Sequence, residues 1–116
     1  MDAAVDVHRT LGGPGLLESV YEEALCYELV SRGLQVERQK EVPIVYKGRQ
    51  LSTPLRLDLK VNGLVLVEVK AVATYNSIFE AQALTYLRLT GLKLALVINF
   101  SDRLVGNGTH RVVNGL

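Results

Sequence analysis

Two acidic residues and a lysine in adjacent predicted strands are the side chains of this sequence best suited to do chemistry. Segment 55–61 alternates aliphatic and charged residues and includes Asp58, while segment 64–70 ends in Glu68 and Lys70. Because side chains alternate along a strand, Glu68 and Lys70 point the same way, about 7 Å apart. Carboxylate oxygens bind hard cations such as Mg²⁺ or Mn²⁺. Such a cation could bind a phosphate oxygen and activate a water, and Lys70 could orient that water or stabilise developing charge.

Whether Asp58 shares a face with the other two residues depends on the turn at Asn62-Gly63. Residues opposite each other in an antiparallel pair share a face. A two-residue loop pairs Asp58 with Val67 and separates the acids, whereas a three-residue loop, residues 61–63, pairs Asp58 with Leu66. We predict the three-residue loop, because it keeps every charge off the aliphatic face. The alternative function for these charges is a solvated face with an ordinary cross-strand ion pair.

The elements that must position these residues follow from hydrophobic periodicity and from turn-forming residues. We expect helices over 2–11, 16–31 and 76–90, with Asn76 or Ser77 capping the third. We expect strands over 35–46 (interrupted at Pro43), 51–61, 64–71, 92–100 and 111–113. The helix before 92–100 implies a crossover to a parallel neighbour. The fold class is therefore α/β (α+β): one domain over 1–116, with a mixed β-sheet flanked by helices in core order α-β-β-β-α-β.

Composition limits the partners of the chain. Lys and Arg number 13 against 12 Asp and Glu, a net charge of +1, so any nucleic-acid contact must come from a local patch. Lys47, Arg49 and Lys60 near turns are candidates for phosphate contacts. The single Cys26 permits no internal disulfide, which is typical of the cytoplasm. No uncharged apolar run is long enough to span a membrane, and the sequence leaves a homo-oligomer open.

Other kinds of site have no support in the sequence. The glycine-rich segment 12–15 lacks the lysine of a phosphate-binding loop, and no serine has a positioned histidine partner. His8 and His110 lack metal-ligand spacing, and we expect both at the surface.

The order of these motifs resembles the PD-(D/E)XK nuclease superfamily. Its signature would be Asp58, nine residues, then Glu68-Val69-Lys70, with Leu57 where many members have proline. Segment 15–21 resembles the Gly-x-x-Glu-x-x-Tyr motif that names one bacterial group, segment 80–87 resembles the Gln-x-x-x-Tyr motif of exonuclease-like members, and 97–100 resembles that group's last core strand. The resemblance covers nearly the whole chain. It implies a restriction-endonuclease-like fold and metal-dependent hydrolysis of phosphodiester bonds, expected in DNA.

The resemblance also implies residue roles. Asp58, Glu68 and Glu18 would bind Mg²⁺ or Mn²⁺, with Lys70 assisting the attacking water. Gln82 and Tyr86, which share one helix face, would position the lysine, metal-bound waters or a DNA phosphate. Arg56 and Gln39 are candidate substrate contacts at the rim.

The alternatives are structural. Glu18 could simply complement the positive end of its helix, and Gln82 with Tyr86 could be a polar stripe. The competing function is a non-catalytic nucleic-acid-binding or assembly domain that keeps the nuclease fold.

Overall fold

The computed structural model describes residues 2–115. Its helices are α1 (Asp2–Thr10), α2 (Glu18–Ser31) and α3 (Ile78–Thr90). Its strands are β1 (Val36–Val42), β2 (Val45–Tyr46), β3 (Arg49–Gln50), β4 (Leu55–Val61), β5 (Val65–Lys70), β6 (Leu94–Asn99) and β7 (Thr109–Val113). None of the helices within 2–115 combines the length and the apolar character needed to cross a membrane.

Five strands form one mixed sheet in the order β1-β4-β5-β6-β7. The pairs β1–β4, β4–β5 and β6–β7 are antiparallel, and β5–β6 is parallel, with α3 as the crossover. The expected mixed sheet is confirmed. The strand expected over 35–46 is divided at Pro43, since a proline cannot donate to a ladder. The residues after Pro43 form a separate two-stranded hairpin, β2–β3.

Helices cover both faces of the sheet and create two hydrophobic cores. Helices α1 and α2 pack over Leu59, Val67 and Ile98 on one face, and α3 packs over Leu57 and Leu66 on the other. Strand β4 contributes to both cores, because Leu57 belongs to one and Leu59 to the other. The residue between these two leucines is Asp58. The face of the sheet to which the leucines of β4 point therefore changes at Asp58.

The register of the β4–β5 hairpin keeps the predicted faces but differs from the predicted pairing. Val61 pairs with Val65, and Lys60, not Asp58, pairs with Leu66. The loop is therefore residues 62–64 in place of 61–63. A shift of two residues preserves which side chains share a face, and the observed pairing joins two aliphatic residues within the α1–α2 core.

Helix α1 is anchored by a residue expected at the surface. His8 is buried, its ring Nε2 lies 3.0 Å from the carbonyl oxygen of Asp102, and its ring lies against Phe100. The surface expectation for His8 is wrong, because α1 packs onto the end of β6. His110 is also partly covered, with its ring stacked on Tyr75 at 3.9 Å.

Candidate active site

The two acids lie where β4 and β5 separate. The paired ladder between these strands ends at Leu59 and Val67. Beyond it, the Asp58 N–H donates to Glu68 Oε2 (3.1 Å) and the Val69 N–H donates to Asp58 Oδ2 (2.8 Å). The carboxylates therefore take over backbone hydrogen bonds that a regular ladder would have made. This exchange fixes both side chains on one face, as the odd-length turn predicted.

Burial makes the two acids share a proton. Glu68 is 6% exposed, and burial, followed by the charge of Asp58, raises its pKa to about 8. Burial also raises the pKa of Asp58, a shift that the Val69 N–H opposes most strongly. Because its pKa is raised to about 8, Glu68 is the member of the pair that is mainly protonated at neutral pH.

Lys70 ends β5 on the face that carries Glu68. Its Nζ lies 4.7 Å from the centroid of the Phe79 ring, a cation–π contact that holds the ammonium at the start of α3. The charge of Lys70 lowers the pKa values of Glu18, Asp58 and Glu68. One cation therefore faces three acids.

Glu18 lies near Asp58 and Lys70. It is the first residue of α2 and lines a cavity of about 360 Å³ together with Glu22, Gln39 and Asp58. Burial raises the pKa of Glu18, while Lys70 and a hydrogen bond with the Ala71 backbone lower it. Glu18 thus lies in the first helical turn and also beside Asp58, one member of the acid pair. A larger cavity of about 540 Å³ between α1 and α2 contains neither Asp58 nor Glu68.

Sequence reasoning missed the buried carboxylate of Glu22, which forms an ion pair with the partly exposed side chain of Arg38. Glu22 is 5% exposed and accepts hydrogen bonds from Arg38 Nε (2.7 Å) and Gln39 Nε2 (2.8 Å). Its charge raises the pKa of Asp58. Gln39 reaches Glu22 from a backbone with φ 53°, an uncommon conformation for a residue with a Cβ. The available signal was the four-residue spacing of Glu18 and Glu22, which places both on one helix face.

Helix α3 brings one of its two candidate residues toward the acids. The charges of Glu68 and Asp58 raise the pKa of Tyr86, after the larger effect of burial. Gln82 Nε2 donates to the Tyr86 hydroxyl at 2.9 Å. Arg56 is exposed, and among the described residues its guanidinium forms an ion pair with Glu41 (2.7 Å) and not with Asp58 or Glu68.

Asn99 was also missed, and it fixes the backbone that follows Lys70. It is 1% exposed; its side-chain oxygen accepts the Val72 N–H (3.0 Å) and its amide donates to the Val72 carbonyl (3.0 Å). The Phe100 N–H also donates to the Lys70 carbonyl (2.8 Å). A buried asparagine inside an apolar strand is the sequence signal for such a structural role, because its polar atoms need partners.

The donor set suits a hard divalent cation. No cluster of three His, Cys, Asp or Glu side chains among residues 2–115 has the arrangement of a metal site. Mg²⁺, however, commonly binds one or two carboxylates and completes its shell with water and phosphate oxygens. Asp58 and Glu68 supply such a pair, and a cation would relieve the repulsion that the shared proton relieves here. The residues present therefore fit Mg²⁺ or Mn²⁺.

Comparison with known proteins agrees with this geometry. A family model described as the PD-(D/E)XK nuclease superfamily matches residues 1–112. Searches of curated proteins and of solved structures returned no significant match. The α+β architecture is consistent with a restriction-endonuclease-like fold. Since the match covers nearly the whole chain, the protein belongs to the PD-(D/E)XK nuclease superfamily, whose members are generally nucleases.

Proposed function

We propose that this protein is a Mg²⁺- or Mn²⁺-dependent nuclease that hydrolyses phosphodiester bonds in DNA. The observation that carries the proposal is the buried Asp58–Glu68 pair at the separation of two strands, with Lys70 close enough to act on both charges. An ordinary surface ion pair would not bury two carboxyl groups side by side, because ionising both of them there costs free energy without a ligand. The single free Cys26 supports a cytoplasmic location.

The roles of the central residues follow from their positions. Asp58 and Glu68 would hold the cation, which supplies an activated water and neutralises phosphate charge. The Lys70 ammonium, held over the Phe79 ring, would stabilise the negative charge that develops on the phosphate. Glu18 would accept a hydrogen bond from the attacking water across the cavity that it shares with Asp58.

The substrate would be positioned by neutral side chains around the acids and by one cation at the rim. The Tyr86 hydroxyl already accepts a hydrogen bond from Gln82, so its own proton remains free for a phosphate oxygen. Its raised pKa keeps that proton in place at neutral pH. Gln39 lines the cavity and Arg56 lies two residues before Asp58, at the rim.

We further propose membership of the Gly-x-x-Glu-x-x-Tyr group, formed here by Gly15, Glu18 and Tyr21. Tyr21 is fully buried; its hydroxyl donates to the Gly13 carbonyl (2.8 Å) and accepts the Leu16 N–H (3.1 Å). These bonds hold the loop before α2 and so fix the position of Glu18. The motif then has a physical purpose, in which the tyrosine orients the segment that delivers the acid.

A cleavage assay tests the proposal. End-labelled single-stranded DNA, duplex DNA and RNA are incubated with Mg²⁺, Mn²⁺ or EDTA. We expect DNA cleavage that requires the cation and falls by roughly 100-fold or more in Lys70→Ala. Lys93→Ala, an exposed lysine at the start of β6, is the matched control and should cleave normally. Metal-independent binding without cleavage of any substrate would favour the non-catalytic alternative.

Sedimentation of the same samples would show whether the protein forms a homo-oligomer.

A further inference from the structure

None of the residues of the β2–β3 hairpin, 45–50, belongs to either hydrophobic core. Val45 and Tyr46 are 63% and 60% exposed, and residues 47–50 are exposed as well. The hairpin closes through a two-residue turn, Lys47-Gly48, in which both residues have positive φ. A two-stranded hairpin that packs against nothing is only marginally stable. Keeping one exposed on both faces is therefore easier to understand if something outside this chain covers it.

The charge of the hairpin indicates what covers it. No acidic residue occurs between Val42 and Leu57, whereas Lys47 and Arg49 lie at the tip. Within residues 2–115 neither cation belongs to an ion pair, and Lys47 Nζ lies 5.4 Å from the Tyr46 ring centroid. In a chain with a net charge of +1, this is a local cationic and aromatic cluster. Phosphates and base faces are the chemical complement of that combination.

The hairpin is close enough to the acids to contact the same ligand. It connects Val42 to Leu55, which pair at one end of β1 and β4. The path from Asp58 to Leu55, and from Val42 to Lys47, covers eight residues, or about 25 Å at the rise of a strand. Strand β5 runs antiparallel to β4, so Lys70 also lies toward this end. At 3.4 Å per nucleotide, about 25 Å spans roughly seven nucleotides.

We propose that the β2–β3 hairpin is a nucleic-acid-binding arm. Lys47 and Arg49 contact phosphates within about seven nucleotides of the bond at the acid pair, and Tyr46 packs against a base or sugar. The inference rests on the proposed nuclease function for its ligand class. It adds a second contact region that lies outside the metal site, on a part of the chain that the chemistry of the acids does not require.

Binding without cleavage tests the arm. Fluorescence anisotropy in EDTA follows a labelled DNA strand of about 24 nucleotides, its duplex and the matching RNA over a salt series. The variant Lys47→Ala/Arg49→Ala should raise Kd roughly tenfold and lower the salt slope on duplex by about 2. Tyr46→Ala should weaken single-strand binding more than duplex binding if the ring stacks on bases. The two nucleic-acid forms thus identify which one the arm holds.

A matched control removes the same charge elsewhere. Arg88 and Lys93 are exposed, one near the end of α3 and the other before β6, at the opposite end of the sheet from Lys70. Arg88→Ala/Lys93→Ala should retain the wild-type Kd to within about twofold, because only nonspecific charge is lost. Thermal unfolding should be unchanged in both double variants, since all four side chains are exposed.

Several outcomes overturn the arm. These are wild-type binding by the Lys47→Ala/Arg49→Ala variant, equal weakening by the control, or no nucleic-acid binding by the wild type. A variant that changes the sedimentation of the protein, and not its Kd, would assign the hairpin to a contact between copies of the chain. Failure of the nuclease proposal is separate. If the arm variant weakens binding but the wild type cleaves nothing, the binding role of the arm is supported and the catalytic function is contradicted.

Discussion

Glu68 carries an ionisation equilibrium that couples the site to pH. With a pKa of about 8, its carboxyl is mainly protonated at neutral pH when no cation is present. A cation binds the ionised pair, so metal binding near neutrality must release a proton. The apparent affinity for Mg²⁺ should therefore rise as the pH approaches 8.

The same ionisation predicts how stability depends on pH. The pKa of Glu68 is raised from 4.5 to about 8, so its stabilising contribution is full below about pH 4.5 and is lost as the pH rises through about 8. Glu68→Gln stays neutral, and the free energy of unfolding of the wild type should fall relative to this variant by up to a few kcal/mol across that window. Urea unfolding in EDTA at about pH 5 and about pH 9 measures the difference.

The control for this prediction is Glu23→Gln, whose side chain is 78% exposed. It should follow the wild type at both pH values. Parallel pH profiles for wild type and Glu68→Gln would mean that the buried carboxyl ionises freely in the folded state.

At the residue scale, the alternation of aliphatic and charged residues was enough to predict the acids of β4 and β5. It gave no indication of the buried acid in α2. Asp58, Glu68 and Lys70 stand out because each interrupts an aliphatic strand. Glu22 follows Tyr21 in a helix with weak amphipathic patterning, and its partner Arg38 lies in a strand that is distant in the sequence. No local pattern reports such a pairing, because it exists only after β1 packs beside α2.

The connection between β6 and β7 is the element that holds the segment after Lys70. The Asn99 N–H donates to the Gly108 carbonyl at 2.8 Å, while the Asn99 side chain fixes Val72. A Cβ placed on Gly108 would lie 2.4 Å from the Asn99 carbonyl oxygen and 2.4 Å from Asp102 Oδ2. The glycine is therefore required by close approach of neighbouring atoms.

Gly108→Ala should destabilise the protein by about 1–3 kcal/mol, because the Asn99 carbonyl is backbone and cannot move without shifting β6. Gly106→Ala in the same loop is the matched control, since its Cβ would meet nothing within 4 Å. Urea unfolding of the two variants makes the comparison. Equal midpoints would show that the loop relaxes around the added methyl group.

At the element scale, the hydrophobic pattern determined faces but not exact pairings. It predicted an odd-length turn and the shared face of the acids, yet the loop lies one residue later than expected. Registers that differ by two residues present the same faces, so only packing between layers selects one. The same limit applies to the 35–46 strand, where Pro43 signalled an interruption without revealing a separate hairpin.

The whole molecule should respond to metal through its stability. A divalent cation that binds the folded site and not the unfolded chain raises the free energy of unfolding by mass action. At roughly ten times Kd the gain is about 1.4 kcal/mol, which corresponds to several degrees in Tm for a domain of this size. We expect this shift with millimolar Mn²⁺ or Mg²⁺, and a larger shift near pH 8 than near pH 6 because Glu68 must ionise.

Asp58→Asn should abolish the shift while leaving the metal-free protein as stable as the wild type or slightly more so. Its side-chain oxygen can still accept the Val69 N–H, and one repulsive charge is gone. Lys70→Ala should keep the shift but lose cleavage. Thermal unfolding of the three proteins with and without metal decides this. A full shift of Tm in Asp58→Asn would mean that residues other than Asp58 bind the metal.

Strand β4 supplies Leu57 to one core and Leu59 to the other, with Asp58 between them. Neither core can be completed until this strand is in place, so the two halves are expected to fold and unfold as one cooperative unit. The acid at the boundary becomes ordered only when both layers close around it. Assembly of the candidate site is then inseparable from global folding, and a partly folded chain would present neither acid in its native position.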